Sequence, residues 1–368
     1  MRIIFAGGGT AGHVNPAIAA ANYISRQESS EVRFCGGRGN IEETLAEKAG
    51  YPIDTFPLTG LSREKSIGGL AKNACAIRET LAAISACKKI VREFKPDLVM
   101  GTGGYASFPM VYAAAKCGVK TAILEVNATP GIATKLLAKH VDCVMLSYAE
   151  TEKLIPRAKK FILTGSPVRE EILRCRDKSW EPLFPNKLPT LCCFWGSVGA
   201  LYMNRKMEEF LVMAVRKREF NVLYAAGAKH YEWMRKETEK LGLDFAHSDN
   251  VDLRPYIYDM DRALACADLF LCRAGGTLAE LCAAGRPSVL VPSPFVAENH
   301  QEKNARILEK AGAAVVITEA ESTAEHLYDT VLSLLQDPPR LARMGENACG
   351  KAQPQALANI YKAIKGLL

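Results

Sequence analysis

Residues 6–16 read Ala6-Gly7-Gly8-Gly9-Thr10-Ala11-Gly12-His13-Val14-Asn15-Pro16, and this glycine-rich stretch decides the fold of the chain. It follows a short apolar run, Arg2-Ile3-Ile4-Phe5, and precedes the helix-forming run Ala17-Ile18-Ala19-Ala20-Ala21. A glycine turn between a strand and a helix presents backbone N–H groups at the helix N-terminus, and glycine lets an anionic oxygen approach them closely. The stretch therefore predicts an anion cradle, with phosphate as the expected ligand.

The same stretch satisfies the G-x-G-x-x-G dinucleotide fingerprint through Gly7, Gly9 and Gly12. Dinucleotide binding also needs an acidic residue at the end of the second strand, about 20 residues further on. The second strand is predicted at Glu31–Cys35, and no carboxylate closes it; Arg38, which follows, would suit the 2′-phosphate of NADP. An NADP-dependent oxidoreductase is therefore an alternative function, and Arg38 is its particular support.

His13 stands where the fingerprint requires only a residue that starts a helix. An imidazole beside a phosphate cradle can accept a proton from a reacting hydroxyl group. The alternative is a polar residue at a helix start without any chemical role. Position alone leaves both interpretations of His13 open.

Composition predicts a soluble globular protein of two domains. The chain has 368 residues, of which 48% are hydrophobic and 24% charged, which is ordinary for globular proteins. No run of about 18 apolar residues is present to span a membrane, and the start of the chain predicts no signal peptide. The 12 cysteines form neither a C-x-x-C pair nor a metal-ligand spacing. Reduced thiols in a cytosolic protein without a metal site are therefore expected.

Net positive charge is confined to the first half of the chain. Residues 1–163 carry 21 basic and 14 acidic residues, whereas residues 164–368 carry 26 of each. This asymmetry predicts an anionic partner for the first half, such as nucleic acid, an acidic lipid surface or a phosphorylated substrate. Because basic and aromatic residues are not interleaved and no nucleic-acid-binding motif occurs, no nucleic-acid partner is expected.

Strand-like runs alternate with helical runs throughout, which is typical of parallel sheets covered by helices. The predicted strands are Ile3–Phe5, Val32–Cys35, Leu98–Met100, Thr121–Leu124, Cys143–Leu146, Phe161–Leu163, Leu191–Phe194, Asn221–Tyr224, Leu269–Cys272, Ser288–Val291 and Ala314–Ile317. The composition shifts near Pro182–Pro189, and Gly165-Ser166-Pro167 can form a hinge. The chain is therefore predicted to fold as two doubly wound α/β domains, residues 1–164 and 165–349.

Glycine-rich or polar turns follow predicted strands in both halves. They are Gly101–Pro109, Glu125–Gly131, Trp195–Gly199, Leu271–Glu280 and Glu298–Gln301. Each turn alone is equally compatible with a tight connection, an Asx turn or a helix cap. Because α/β folds bind ligands at the carboxyl ends of parallel strands, the joint placement of the turns predicts a ligand cleft between two domains. Glu280, one turn into its helix, can accept ribose hydroxyls there.

Residues 60–95 predict a mobile loop followed by a basic helix from about Ala71. The helix cations are Lys72, Arg78, Lys88, Lys89 and Arg92, and the apolar residues beside them are Ile67, Leu70, Ile77 and Leu81. An apolar stripe ringed by cations suits adsorption to an anionic membrane surface. A helix with an ordinary core face and a solvated basic face explains the same pattern.

Eight segments, in order along almost the whole chain, resemble glycosyltransferase family 28, and in particular its membrane-associated N-acetylglucosaminyltransferases. These segments are Gly7–Pro16, Gly103–Pro109, Glu125–Gly131, Gly165–Arg169, Gly196–Ala200, Tyr256–Met260, Arg273–Glu280 and His300–Ala305. The resemblance implies the GT-B fold, in which two Rossmann-like domains face a cleft. It also implies that a C-terminal helix at about 350–368 packs back on the first domain.

The activity that the resemblance implies is an inverting transfer of N-acetylglucosamine in peptidoglycan synthesis. The donor would be UDP-N-acetylglucosamine, and the acceptor the muramyl 4-hydroxyl of an undecaprenyl-diphosphate-linked muramyl-peptide (lipid I to lipid II). No metal or cofactor is expected, and the implied location is cytoplasmic, peripheral on the inner face of the plasma membrane. A UDP-sugar-binding protein without catalysis is a further alternative, because Trp195 and Val198 depart from the family pattern.

The resemblance also assigns roles to individual residues. His13 is the expected base, with Glu125 as its rival. The residues implied to bind the donor are Asn127, Arg169, Ser197, Ile257, Thr277, Glu280, His300 and Gln301. The residues implied to bind the acceptor diphosphate are Thr10, Ala11, Gly12, His13, Gly103, Gly104 and Tyr105.

The chain departs from the family pattern at four places. The family usually has His-Glu-Gln-Asn at Leu124–Asn127 and Gly-Gly-Ser-Gln-Gly at Trp195–Gly199. Arg273–Glu280 is one residue shorter than usual, and Thr134-Lys135 replaces an Asn-Lys pair. We expect these departures to alter the donor contacts rather than the fold.

Overall fold

The computed structural model describes residues 1–60, 66–196, 199–244, 248–296 and 299–368, except for the side chain of Ile67. These residues form two compact units. Unit 1 comprises Met1–Arg169 and Gln353–Leu368, and unit 2 comprises Glu170–Ala352. The structural division thus falls after Arg169, a little beyond residue 164, and the C-terminal segment groups with unit 1. The cleft between domains stays a prediction.

Unit 1 alternates strands and helices. Its strands are β1 (Arg2–Gly7), β2 (Glu31–Gly37), β3 (Ile53–Phe56), β4 (Leu98–Gly103), β5 (Lys120–Glu125), β6 (Cys143–Leu146) and β7 (Phe161–Leu163). Its helices before the boundary are α1 (Ala11–Gln27), α2 (Ile41–Lys48), α3 (Ile67–Phe94), α4 (Ser107–Lys116) and α5 (Ile132–Leu137), with a 3-10 helix at Ala149–Leu154. Within the described residues, the strands form one parallel sheet in the order β3-β2-β1-β4-β5-β6-β7.

Unit 2 repeats this alternation. Its helices are α6 (Glu170–Leu173), α7 (Leu201–Lys217), α8 (Tyr231–Lys240), α9 (Met260–Cys266), α10 (Thr277–Ala283), α11 (His300–Lys310), α12 (Ala324–Leu335) and α13 (Pro338–Cys349), with a 3-10 helix at Cys175–Asp177. Its strands are β8 (Thr190–Phe194), β9 (Asn221–Ala225), β10 (Val251–Arg254), β11 (Leu269–Cys272), β12 (Ser288–Leu290) and β13 (Ala314–Val316). In the described part of the chain they form a parallel sheet ordered β10-β9-β8-β11-β12-β13. The last helix, α14 (Ala356–Lys365), packs on α1 of unit 1.

The central strand β1 shows why the sheet of unit 1 is covered on both faces. Ile3, Ile4 and Phe5 are all fully buried, as expected of a parallel strand with helices on each side. Ile3 and Phe5 face a core that they share with α1 and α14, whereas Ile4 faces a core shared with α3 and α4. The apolar run before the glycine-rich turn therefore anchors that turn at the middle of the sheet.

The two sheets have the same order for their first six strands, and the predicted fold class of two doubly wound α/β domains is confirmed. The direction of strand addition reverses between β1 and β4 in unit 1 and between β8 and β11 in unit 2. Ligands of open α/β sheets bind outside the carboxyl ends of the strands at such reversal points. The glycine turns that follow β1, β4, β8 and β11 lie at these positions.

Every predicted strand is present with small differences at its ends, but the sequence pattern misses β3 and β10. Both lie at an edge of their sheet. β3 is only partly buried along its length, and β10 is fully buried only at Val251. Edge strands of this kind lack the continuous apolar run by which a central parallel strand is recognised.

Candidate active site

In unit 1, the turns after β1 and β4 lie against each other. A Cβ atom at Gly103 would lie 2.5 Å from His13 Nδ1, and one at Gly104 would lie 2.0 Å from the carbonyl oxygen of Gly8. Both glycines have positive φ angles, 108° and 74°. Only glycine can therefore occupy these two positions, because they combine a left-handed conformation with a close approach.

Hydrogen bonds fix the two turns together. The hydroxyl of the buried Thr102 donates to the carbonyl of His13 at 2.8 Å, and the Gly8 N–H donates to the carbonyl of Gly103 at 3.3 Å. The start of α1 is thereby held beside the end of β4. The structure thus brings together four of the residues predicted to bind the acceptor diphosphate: His13, Gly103, Gly104 and Tyr105, whose ring lies against Gly9.

Tyr105 closes the other side of the glycine turn. A Cβ atom at Gly9 would lie 3.1 Å from its ring, and its hydroxyl accepts a hydrogen bond from the Asn40 side chain at 3.1 Å. Burial raises the pKa of the Tyr105 hydroxyl, and the negative charge of Glu42 raises it further. The phenol therefore stays protonated at neutral pH and can donate its hydrogen.

The predicted anion cradle is partly occupied by a carboxylate of the protein itself. Glu42 is fully buried and accepts hydrogen bonds from the Gly9 N–H at 3.0 Å and the Gly37 N–H at 2.9 Å. The N–H of His13 donates to the carbonyl of Thr10 at 3.1 Å. Thr10 is the N-cap residue of α1, which begins at Ala11 with Gly12 in its first turn.

Glu42 is not among the predicted site residues, because the dinucleotide fingerprint places its acidic residue at the end of the second strand. Glu42 instead lies in the first turn of α2, after the N-cap residue Asn40, and it reaches back to the end of β2. An acidic residue soon after an N-cap is a recognisable signal, but it is ordinarily explained by helix capping. Arg38, the support for the NADP alternative, is exposed at the turn between β2 and α2.

Glu125, the rival base, is enclosed by hydrogen bonds from the loop after β5 and from helix α5. It is buried at the end of β5, with 3% of its surface exposed. One carboxylate oxygen accepts from the backbone and side-chain nitrogens of Asn127, both at 3.1 Å. The other accepts from the Gly131 N–H at 3.0 Å and from the Thr134 hydroxyl at 2.7 Å. Thr134, one of the departures from the family pattern, thus supports this carboxylate.

Leu124, another departure, lies inside unit 1 rather than at the site. Its side chain is buried in the core that contains Ile3 and Phe5. The expectation that this substitution alters a donor contact has no support from its position. Asn127 and Arg169, both predicted to bind the donor, also belong to unit 1.

In unit 2, Trp195 and Arg273 lie together behind the turns after β8 and β11. Trp195 is buried, and the guanidinium carbon of Arg273 lies 5.7 Å from the centre of its ring. Arg273 pairs with the buried Glu319 and donates to the carbonyl of Val291 at 2.9 Å. Burial lowers the pKa of Arg273, although Glu319 opposes the shift. Ser197 and Val198 lie outside the described residues.

The predicted donor residues of α10 and α11 lie at the N-terminal ends of these helices. Thr277 is the first residue of α10, and Glu280, in its first turn, is 9% exposed. His300 is the first residue of α11. Gln301 accepts a hydrogen bond from the Ser293 N–H at 2.8 Å, so its side chain holds the loop that precedes α11.

Two further contacts fix the loops of unit 2. Asn304 donates to the carbonyl of Ala274 at 3.3 Å, which links α11 to the turn before α10. Ile257, predicted to bind the donor, is 3% exposed in the loop between β10 and α9. Arg254 holds that loop through a hydrogen bond to Asp259 at 2.9 Å.

The surface of unit 1 carries exposed apolar side chains on α3 and α5. Leu70, Ile77 and Leu81 are 70%, 55% and 63% exposed, and their spacing places them on one face of α3. Helix α3 buries a different set, Ala76, Ala83, Cys87 and Val91. The apolar stripe is therefore not an ordinary core face.

Helix α5 adds apolar and basic side chains outside the predicted stretch of residues 60–95. Ile132 and Leu136, one turn apart, are each 53% exposed, and α3 and α5 both pack against α4. His140, just beyond α5, has a pKa lowered by burial and by the neighbouring charges of Lys139, Lys116 and Lys159. Residues 61–65 of the predicted loop lie outside the described residues.

These observations define a class of protein: two doubly wound α/β units whose reversal points carry glycine turns fixed by buried polar side chains. The chain belongs to glycosyltransferase family 28. The model of the N-terminal domain of that family matches residues 3–146, and the model of its C-terminal domain matches residues 190–361. An NADP-dependent oxidoreductase is accordingly not favoured.

Relatives extend the similarity over the whole chain. The UDP-N-acetylglucosamine–N-acetylmuramyl-(pentapeptide) pyrophosphoryl-undecaprenol N-acetylglucosamine transferase of Acetivibrio thermocellus is 37% identical, covering 100% of this chain and 98% of its own. The protein of the same name from Desulfitobacterium hafniense is 40% identical, covering 98% and 97%. The crystal structure of Acinetobacter baumannii MurG has a TM-score of 0.69 and 26% identity over 99% of both chains.

No helix in the described part of the chain is both long and apolar enough to cross a membrane.

Proposed function

We propose that this protein transfers N-acetylglucosamine from UDP-N-acetylglucosamine to the muramyl 4-hydroxyl of a polyprenyl-diphosphate-linked muramyl-peptide, with inversion at the anomeric carbon. The observation that carries the proposal is the full-length similarity to transferases named for this reaction. The acceptor hydroxyl attacks the anomeric carbon, the bond from that carbon to the UDP oxygen breaks, and a base takes the hydroxyl proton. No covalent intermediate on the protein is involved.

His13 is the base in this proposal. Its imidazole lies on the glycine turns of unit 1, at the start of α1, where a diphosphate-linked acceptor would bind through helix-terminal N–H groups. The carboxylate of Glu125 already accepts four hydrogen bonds, three from the loop after β5 and one from Thr134 of α5. These contacts support a structural role for Glu125, because a proton acceptor needs an oxygen that the substrate can reach.

Unit 2 binds the donor in this proposal. The N-terminal ends of α7, α10 and α11 can stabilise the negative charge that develops on the departing UDP, as helix termini do for phosphate groups. Glu280, almost buried in the first turn of α10, would accept the ribose hydroxyls. His300 and the backbone of Ile257 would contact the sugar and the uracil. Neither a metal nor a cofactor has a role in these steps.

Transfer is tested with the purified full-length protein and a short-chain polyprenyl-diphosphate analogue of the acceptor. Radiolabelled UDP-N-acetylglucosamine, UDP-glucose and UDP-N-acetylgalactosamine are compared as donors. We expect label to move to the acceptor from UDP-N-acetylglucosamine, with UDP released in equal amount. Donor binding without UDP release would instead support a UDP-sugar-binding protein without catalysis.

We also propose that unit 1 adsorbs to an anionic membrane surface through the exposed apolar side chains of α3 and α5. Leu70, Ile77 and Leu81 are exposed although they are large and apolar, and basic side chains accompany them on the same helix. Apolar insertion combined with attraction of cations to acidic headgroups is how peripheral proteins bind membranes. The inner face of the plasma membrane, where the acceptor is expected, is the proposed location.

Vesicle sedimentation tests this surface. The double variant Leu70→Glu/Leu81→Glu should lose binding to phosphatidylglycerol vesicles, while transfer to a short, water-soluble acceptor stays unchanged. Leu241→Glu changes an exposed leucine of unit 2, which is 44% exposed, and it should bind vesicles as the wild type does. Equal binding by the wild type and the double variant would exclude this surface.

A further inference from the structure

A buried carboxylate lies between two glycine turns at the carboxyl edge of unit 1. Glu42, at the start of α2, accepts the N–H of Gly9 after β1 and the N–H of Gly37 after β2. It is fully removed from solvent. A buried carboxylate is tolerated where hydrogen bonds satisfy its oxygens, and those from backbone N–H groups to an ionised oxygen are strong.

The space around this carboxylate is closed by glycines. A Cβ atom at Gly8 would lie 2.2 Å from a carboxylate oxygen of Glu42, and one at Gly36 would lie 2.5 Å from its Cγ atom. The two turns therefore wrap around the side chain as glycine turns wrap around a bound phosphate. Glu42 occupies the place of an anionic ligand at the Gly9 N–H, so that this group is not available to a substrate.

The same segment also holds the turn after β4. Asn40, two residues before Glu42, donates to the hydroxyl of Tyr105, and the Tyr105 ring lies against Gly9. Asn40 and Glu42, at the start of α2, thus contact both turns that the proposed function assigns to the acceptor diphosphate.

We propose that Glu42 is a positioning residue that sets where the acceptor diphosphate binds. By occupying the Gly9 N–H with a negative charge, it excludes a second anion from that group. The diphosphate is thereby directed to the first turn of α1 and to the turn at Gly103–Tyr105, beside His13. This inference rests on the proposed function for its substrate, but the arrangement of carboxylate and amides is independent of it.

The variant Glu42→Gln tests the proposal because it keeps the size of the side chain and removes its charge. The carbonyl oxygen of the glutamine side chain can accept one of the two glycine N–H groups. The NH₂ group cannot accept the other, so one glycine N–H loses its hydrogen-bond partner. We expect kcat/KM for the acceptor analogue to fall about tenfold to a hundredfold, while KM for UDP-N-acetylglucosamine stays unchanged.

The affinity for inorganic pyrophosphate, measured by isothermal titration calorimetry, is the decisive second measurement. Without the repelling charge, Glu42→Gln should bind pyrophosphate at least as tightly as the wild type although it transfers sugar more slowly. A merely structural role predicts that both properties weaken together, and this result would overturn the proposal. Absence of pyrophosphate binding by the wild type would overturn it as well.

Two further variants keep the test decisive. Glu43→Gln is the matched control, because Glu43 is the next residue, is not buried and accepts the Gly39 N–H at 2.6 Å; it should match the wild type in both assays. Glu42→Asp keeps the charge and should restore most of the acceptor kcat/KM, even if Glu42→Gln does not fold. If Glu42→Asp folds but its acceptor kcat/KM is as low as that of Glu42→Gln, the charge of residue 42 does not determine acceptor binding. Failure of the wild type to transfer sugar would refute the proposed function but leave the pyrophosphate comparison intact.

Discussion

The two units share a strand order but hold their carboxyl-edge loops with different chemistry. In unit 1, buried carboxylates do this: Glu42 accepts from the turns after β1 and β2, and Glu125 accepts from the loop after β5. In unit 2, neutral amide side chains hold such loops: Asn204 donates to the carbonyl of Ala226 at 2.9 Å, and Gln301 accepts from the Ser293 N–H. Unit 2 also has charged contacts, because Arg273 pairs with Glu319, and Arg254 donates to Asp259 at 2.9 Å in the loop after β10.

The difference shows that one fold can fix the same loops in two ways. A carboxylate fixes a loop by accepting hydrogen bonds only, whereas amide side chains can donate or accept them. A carboxylate accepts several N–H groups at once, and its charge strengthens each hydrogen bond. It also repels any anion from the amides that it occupies. An amide side chain holds a loop without adding charge near the site where a nucleotide diphosphate is proposed to bind. We therefore expect unit 1 to restrict the position of its proposed anionic ligand more strictly than unit 2.

Of the variants that test the proposed roles of the two units, His13→Ala is expected to have the largest effect. Loss of a general base should lower kcat by about a hundredfold to ten-thousandfold, because proton transfer in the transition state is removed. Donor affinity, a property assigned to unit 2, should not change in equilibrium binding of UDP-N-acetylglucosamine.

His326→Ala is the control for that measurement, since His326 is an exposed histidine of unit 2. It should keep the wild-type kcat. A kcat near that of the wild type in His13→Ala would remove His13 as the base and return Glu125 to consideration.

A second comparison removes one loop-holding group from each unit. Glu125→Gln should raise amide hydrogen exchange in residues 126–134 by about a hundredfold, because a buried carboxylate that accepts four hydrogen bonds is lost. Gln301→Ala should raise exchange in residues 293–296 by only about fivefold, the effect of one neutral hydrogen bond. Mass spectrometry of peptic fragments measures both. Equal increases would show that the charge of the carboxylate adds nothing.

A smaller effect than those of His13→Ala and Glu125→Gln is expected from Glu280→Gln. If Glu280 accepts ribose hydroxyls, loss of its charge should weaken UDP binding by about tenfold, since hydrogen bonds to charged groups are stronger than neutral ones. The melting temperature without ligand should change little. Isothermal titration with UDP measures the affinity, and an unchanged dissociation constant would exclude the ribose role.

Much of the fold could be predicted because central parallel strands and glycine turns leave local signals. The run Ile3–Phe5 is apolar without interruption because both of its faces are covered, and the turns after β1, β4, β8 and β11 are rich in glycine. The strands β3 and β10 left no such signal because they are edge strands with partly exposed faces.

The candidate site could be predicted only in part. His13 and the turn at Gly103–Tyr105 were recognised, and the structure places them in contact. The role of Glu42 could not be inferred from position, since an acidic residue in the first turn of a helix is ordinary. Leu124 was interpreted as a change at the site because it departs from the family pattern, but its side chain is buried in the core, since successive residues of a strand point to opposite faces.

The sequence by itself determined two doubly wound units, the glycine turns after their central strands, the basic character of the first half and the resemblance to glycosyltransferase family 28. These are properties of local pattern and composition, which each segment carries without its neighbours. The tertiary structure alone decided which backbone N–H and carboxylate groups at the carboxyl edge of unit 1 already have hydrogen-bond partners within the protein. Glu42 reaches Gly9 across 33 positions of the chain, and Thr134 supports Glu125 from a different element. Such contacts depend on which loops the strand order brings side by side, and no local pattern contains that information.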